Sequence, residues 1–134
     1  MANITITNND LGNVILESGQ FADDKLLTLA GADVIAEGTI LAIDSVSLKY
    51  VLFVKGGLTN ENGIPKAVMT YGTESSGAGD IAIRPMISGV VRKERLVIDA
   101  DGDASNVDQA VEDQLRDYSI VVKSVTELNE LDNQ

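Results

Sequence analysis

Apolar and polar residues alternate from the start of the chain, where Ile4 and Ile6 stand between Asn3, Thr5 and Thr7, ahead of Asn8, Asn9, Asp10 and Gly12. Alternation with period two is the pattern of a strand with two unlike faces, and the breakers beyond it detach it from the rest of the chain. Residues 3–7 are therefore read as an arm. Short runs rich in Val, Ile and Leu then recur at 14–16, 26–29, 39–43, 50–54, 67–70, 81–83, 87–91, 96–98 and 120–122. Each has the length of a strand. Between them lie turn residues: Gly31, Gly38, Gly56 with Gly57, Asn62 with Gly63, and a glycine-rich stretch at 72–79 read as a flexible connection. Such spacing predicts a small barrel or a sandwich.

One segment breaks the period. Val107, Ala110, Val111, Leu115 and Tyr118 recur at three- and four-residue steps, which puts them on one face of a helix that plugs or flanks the sheet. Ser105 is placed to cap it, and Asp108, Glu112, Asp113 and Arg116 form its solvated face. The expected fold is thus mainly β, a small β-barrel-like single domain with one helix in its C-terminal half and an N-terminal arm. Residues 1–16 are assigned to the arm, 17–125 to the β-rich domain and 126–134 to a polar, acidic tail.

Composition narrows the chemistry. The chain of 134 residues can bury about two-thirds of its unfolded surface, and with five aromatic residues (Phe21, Tyr50, Phe53, Tyr71, Tyr118) the core falls to Val, Ile, Leu and Ala. Without cysteine there are neither disulfides nor thiolate metal sites. A net charge of −11 disfavours direct binding to nucleic acid, which depends on clustered Lys and Arg; it favours solubility, or a basic protein surface as partner. The opening residues have no basic segment followed by an apolar one, and no apolar run approaches the roughly 18 residues that span a bilayer. No membrane association is expected.

Three patterns resemble catalytic or binding motifs. Asp99, Asp101, Gly102 and Asp103 look like the start of a calcium loop, but Ala104 and Ala110 stand where an EF-hand needs Gly and Glu. An acidic turn before a helix N-terminus accounts for them. The glycines of 72–79 lack the Gly-Lys-Ser/Thr of a phosphate loop and lead into a strand. With no histidine, a seryl nucleophile has no usual base, and neither G-x-S-x-G nor S-x-x-K occurs. The expectation is a protein that is not an enzyme and that carries no cofactor or metal. Lys25, between Asp24 and Leu26 and ahead of the stretch 32–43, resembles the swinging-arm lysine of lipoyl and biotinyl carrier domains, although the gap from Lys25 to Gly38 is short for that pattern. A small β-domain acting as a binding or carrier module is the alternative.

A second resemblance spans residues 17–125. Glu37, Gly38, Thr39, Ile40 and Leu41, then Ala67, Val68 and Met69, then Gly79 and Asp80, then Ser88, Gly89, Val90 and Val91, and finally Leu115 and Ile120 occur in an ordered series. That series resembles the head decoration proteins of lambda-type tailed bacteriophages, with its weight in the order more than in any single motif. The resemblance implies a compact β-tulip-like protein, a homotrimer at the local three-fold sites of an expanded capsid. There it binds the major capsid protein on the virion exterior and stabilises the shell against packaged DNA, after synthesis in the bacterial cytoplasm. It also implies that the arm residues Asn3, Ile4, Thr5, Ile6 and Thr7 order on the capsid by strand addition. The other reading of these residues is the first strand of the domain's own sheet. The chain departs from short members of that family in its extension after Val122 and in the polar insert 59–65.

Overall fold

The structure, a computed structural model, describes residues 13–124. The arm residues Asn3 to Thr7 and the tail 126–134 lie outside them.

The described chain is mainly β with one helix, its principal sheet curled into a half-barrel. Its frame is a long antiparallel ribbon. Strand β1 (Ile15–Phe21) pairs with β9 (Met86–Arg92), and β2 (Lys25–Leu29) pairs with β8 (Gly79–Ile83). Only short corners join β1 to β2 and β8 to β9. There the Ala22 N–H donates to Pro85 O at 2.9 Å and Asp24 takes a positive φ of 49°. The bent ribbon is bridged by β4 (Ile40–Ile43), β5 (Tyr50–Leu52) and β6 (Ala67–Val68). β2 joins β5 in parallel at Leu27 and Tyr50, β4 stands between β5 and β6, and Val68 of β6 reaches Met86 of β9. Attachment of both halves of one ribbon to opposite ends of the same three strands is what curls the sheet. From Gly89 onward β9 pairs in parallel with β10 (Ile120–Lys123).

Strand β4 explains the two-layered core. Ile40, Leu41 and Ala42 are all fully buried, a continuous apolar run of the kind found where both faces of a strand are covered. Ile40 packs with Val68, Met86, Val91, Val111 and Leu115, whereas Leu41 packs with Leu27, Ile35, Ala67, Met69 and Ile83. One layer lies under the helix and the other inside the curl. Each fully buried side chain of this size contributes about 1.5–3 kcal/mol.

The helix α1 (Gln109–Asp117) starts later than the sequence predicts. Asp108 caps it, accepting from the Val111 N–H at 3.1 Å. Ser105 is held one turn earlier, its own N–H donating to the Asp103 carboxylate at 2.9 Å. Val111 and Leu115 face the core, while Ala110 and Tyr118 are exposed.

Two strands fall outside the predicted series. β3 (Asp33–Ile35) and β7 (Thr73–Ser75) form a separate two-stranded sheet, so part of 72–79 is paired strand rather than flexible connection. Thr73, Glu74 and Ser75 offer no apolar alternation, and only pairing with β3 makes them a strand. Residues 96–98 lie instead in bridges, Thr39 to Val97 and Ile98 to Asp103. Val97 comes close to the chain at Gly38, whose φ is +94° and where a Cβ would stand 1.9 Å from Arg95 O. Only glycine fits that crossing.

Candidate binding surfaces

The sequence-predicted arm leads into an anchored strand. Val14 is fully buried, its N–H donates to Glu37 Oε2 at 3.0 Å, and its carbonyl accepts from the Arg92 N–H at 2.7 Å. Ile15 opens β1 and packs against the core beneath the helix, so 14–16, assigned to the arm, are built into the domain. Beyond them Glu17, Ser18, Gly19, Gln20 and Phe21 are exposed. Among the described residues β1 has a strand on one side only, β9. A strand with one unpaired edge presents backbone N–H and C=O groups to a further strand.

The acidic run 99–103 closes a turn. Ile98 O accepts from Asp101 N at 2.8 Å and from Gly102 N at 2.9 Å, and Asp101 Oδ2 accepts from Asn106 Nδ2 at 2.9 Å. Asp99 sits apart, facing Asp33, and its carboxyl is pushed above the ordinary value by burial first and by Asp33 second. Lys25 is the first residue of β2, exposed and in register with Ile83, within a paired strand. Gly79 and Asp80 open β8, where Asp80 accepts from the Thr28 hydroxyl at 2.7 Å and pairs with Lys49 Nζ at 2.7 Å.

Tertiary contacts also create a rigid tip that the pattern of the sequence did not disclose. The turn between β4 and β5 is organised by Asp44. Its Oδ1 accepts from Val46 N at 2.8 Å and Ser47 N at 2.9 Å, and its carbonyl from Leu48 N at 2.8 Å. The insert 59–65 is tied to this turn, because Ser45 N donates to Asn60 O at 3.0 Å and Asn60 Nδ2 to Asp44 Oδ2 at 3.3 Å. Leu48, Asn60 and Glu61 all have left-handed φ, of 64°, 47° and 66°. That region is costly for a residue as bulky as leucine. The tip nevertheless turns Val46, Leu48 and Leu58 outward, with 76%, 74% and 96% of their surface exposed. The sequence signal was apolar residues set singly among polar and turn residues, Val46 and Leu48 on either side of Ser47 and Leu58 between Gly57 and Thr59.

A shallow depression of about 330 Å³ lies at the bend of the ribbon, lined by Phe21, Thr70, Tyr71 and Arg84. Tyr71 is fixed there because its hydroxyl accepts from the Arg84 N–H at 3.0 Å. At the rim Arg84 Nη2 donates to Asp23 Oδ1 at 2.9 Å. A second depression, of about 390 Å³, is lined by Val34, Gly72 and Glu74 among others.

These features suit strand addition and side-chain insertion. They define a small β domain with one helix, an unpaired strand edge among the described residues and exposed apolar side chains at its tip. No protein-family model matches the chain, and neither a curated protein nor a solved structure does.

Proposed function

We propose that this chain is a virion structural protein of the lambda-type decoration class. It binds the outside of the expanded phage capsid as trimers, through contacts with the major capsid protein, and stabilises the shell against packaged DNA; it has no catalytic role. The observation that carries the reading is the junction at Val14. Glu37, one of the residues of the resemblance, holds the backbone where the alternating segment Asn3 to Thr7 gives way to β1, a strand with one partner among the described residues. A fixed exit point for the segment that precedes it is what strand addition needs. Further support comes from where the residues of the resemblance fall. Ile40 with Leu41, Ala67 with Val68, and Ser88 to Val91 lie on the adjacent strands β4, β6 and β9, while Leu115 and Ile120 lie on α1 and β10 that adjoin them.

Many identical sites on a shell turn modest affinity per subunit into large total stabilisation. The test is occupancy of expanded shells lacking decoration protein, comparing the full chain with one deleted for residues 2–12. The full chain is expected to bind in near-equal copies to the major capsid protein. The deleted chain is expected to keep its circular dichroism spectrum and lose binding. Unchanged occupancy after deletion removes the role of Asn3, Ile4, Thr5, Ile6 and Thr7; no binding by the full chain removes the proposal itself.

A further inference from the structure

We infer that Asn62 is a site of spontaneous covalent modification, its side-chain amide giving way to a carboxylate through attack by the Gly63 backbone nitrogen, with water as the co-reactant. Of the chain's asparagines only Asn62 precedes a glycine, and the fold explains why the pair is there. A Cβ at Gly63 would stand 2.3 Å from Gly57 O, and one at Gly57 would stand 2.2 Å from Asn62 Oδ1. The close approach of the two ends of this turn demands glycine at both positions. With glycine after it, the Asn62 carboxamide is open to attack unhindered by a neighbouring side chain.

The turn also prepares each of the reacting groups. The Gly63 N–H, the nucleophile, makes no hydrogen bond among the described residues, whereas its neighbours are engaged: the Asn62 N–H donates to Thr59 O at 2.9 Å and the Ile64 N–H to Glu61 O at 3.2 Å. The Thr59 N–H donates to Asn62 Oδ1 at 3.2 Å, the oxygen on which negative charge gathers as the nitrogen adds. A backbone donor already aimed at a developing oxyanion lowers the barrier to acyl transfer. Asn62 and Gly63 are only half-buried, so water reaches both.

The reaction balances without oxidation or reduction. Hydroxide takes the Gly63 amide proton, the nitrogen bonds to Asn62 Cγ, and the Cγ–Nδ2 bond breaks to release ammonia, which carries a proton taken from water. Water then opens the cyclic imide that remains. Cleavage of the new Cγ–N bond leaves aspartate, and cleavage of the original peptide bond leaves isoaspartate. Either product adds a negative charge next to Glu61. Isoaspartate also inserts a methylene group into the backbone where the Val54 N–H donates to Asn62 O at 2.9 Å, in the insert that holds the tip through Asn60.

The test uses the full chain, incubated at neutral and at mildly alkaline pH, in native buffer and in concentrated urea. Aspartate and isoaspartate at 60, 62 and 106 are counted by peptide mass mapping, with an Asn62→Asp chain marking the aspartate product. In native buffer Asn62 is expected to convert at least about tenfold faster than Asn60 or Asn106, a gap that takes about 1.4 kcal/mol of barrier. It is expected to convert at least as fast as in urea, and faster as pH rises, because the Gly63 nitrogen must lose its proton to attack. Slower conversion in native buffer than in urea overturns the inference, since the fold would then shield the pair. A smaller lead over Asn60 and Asn106 overturns it too. The reaction needs no shell, and neither result bears on shell occupancy by the arm.

Discussion

Asp99 and Asp44 show how opposite surroundings give two aspartates opposite effects on stability. The Asp99 carboxyl is held above its ordinary value of 3.8, first by partial burial and then by Asp33. The folded chain therefore holds that proton more tightly than the unfolded one. The resulting penalty on the fold is absent below pH 3.8, grows as pH rises through the raised folded value, and is complete at neutral pH. Asp44, Asp80, Asp103 and Asp108 lie on the other side. They are lowered chiefly by N–H groups of Ser47 and Val46, by Lys49, by Ser105 and by Lys55 respectively. Their stabilisation is present above pH 3.8 and is lost as pH falls through their depressed values. Asp99→Asn is therefore expected to melt higher than wild type at pH 7, with the gap closing as pH approaches 3.8. Both proteins should lose stability together in stronger acid. Thermal melts across the acid range check this, and an Asp99→Asn chain that melts lower at neutral pH would show that its carboxylate is stabilising.

At the scale of elements, the helix depends on the side chains it buries. Leu115 is fully buried among Ile40, Val111 and Ile120, whereas Tyr118 is 41% exposed and touched by Lys66 Nζ, 5.1 Å from its ring centroid. Leu115→Ala is expected to cost about 3 kcal/mol through lost transfer and a residual cavity. Tyr118→Ala should cost less than about 1 kcal/mol, the scale of an exposed cation–π contact. Urea unfolding separates the two, and equal costs would mean the helix packs by a different face. The three- and four-residue steps marked the helix itself, because Val111 and Leu115 must share one side to reach the core. They could not mark its first residue. Ser105 and Asp108 are both competent caps, and the choice was made by the Asp103 carboxylate, which holds the Ser105 N–H in the preceding turn.

For the molecule as a whole, charge sets the conditions for association. Two copies at −11 repel each other at long range, and the repulsion reaches about 30 Å in 10 mM salt but only about 8 Å at physiological ionic strength. The trimer proposed above would have to form against that repulsion, so salt should remove the opposition. Self-association is therefore expected to strengthen as sodium chloride rises from about 10 mM to about 150 mM, measured by sedimentation equilibrium. Weakening over that range would mean that oppositely charged groups dominate the contact between copies.

The class of fold was already legible in the order of the residues. Short β-branched runs separated by turn residues make strands, and one helical period among them makes one helix, because both patterns arise from local geometry. The same pattern marked the central strands, where Ile40 to Ala42 form an uninterrupted apolar run. Other features came only with the folded chain. β7 has no strand pattern of its own and exists because β3 lies beside it. Gly38 is required because Arg95, far along the chain, passes within contact of it. The tip is rigid because Asp44 meets Asn60, and the depression exists because the bent ribbon brings Phe21 and Arg84 to Tyr71. Period and propensity act between neighbours in the chain, whereas these features depend on pairs of residues that meet only after the sheet has curled.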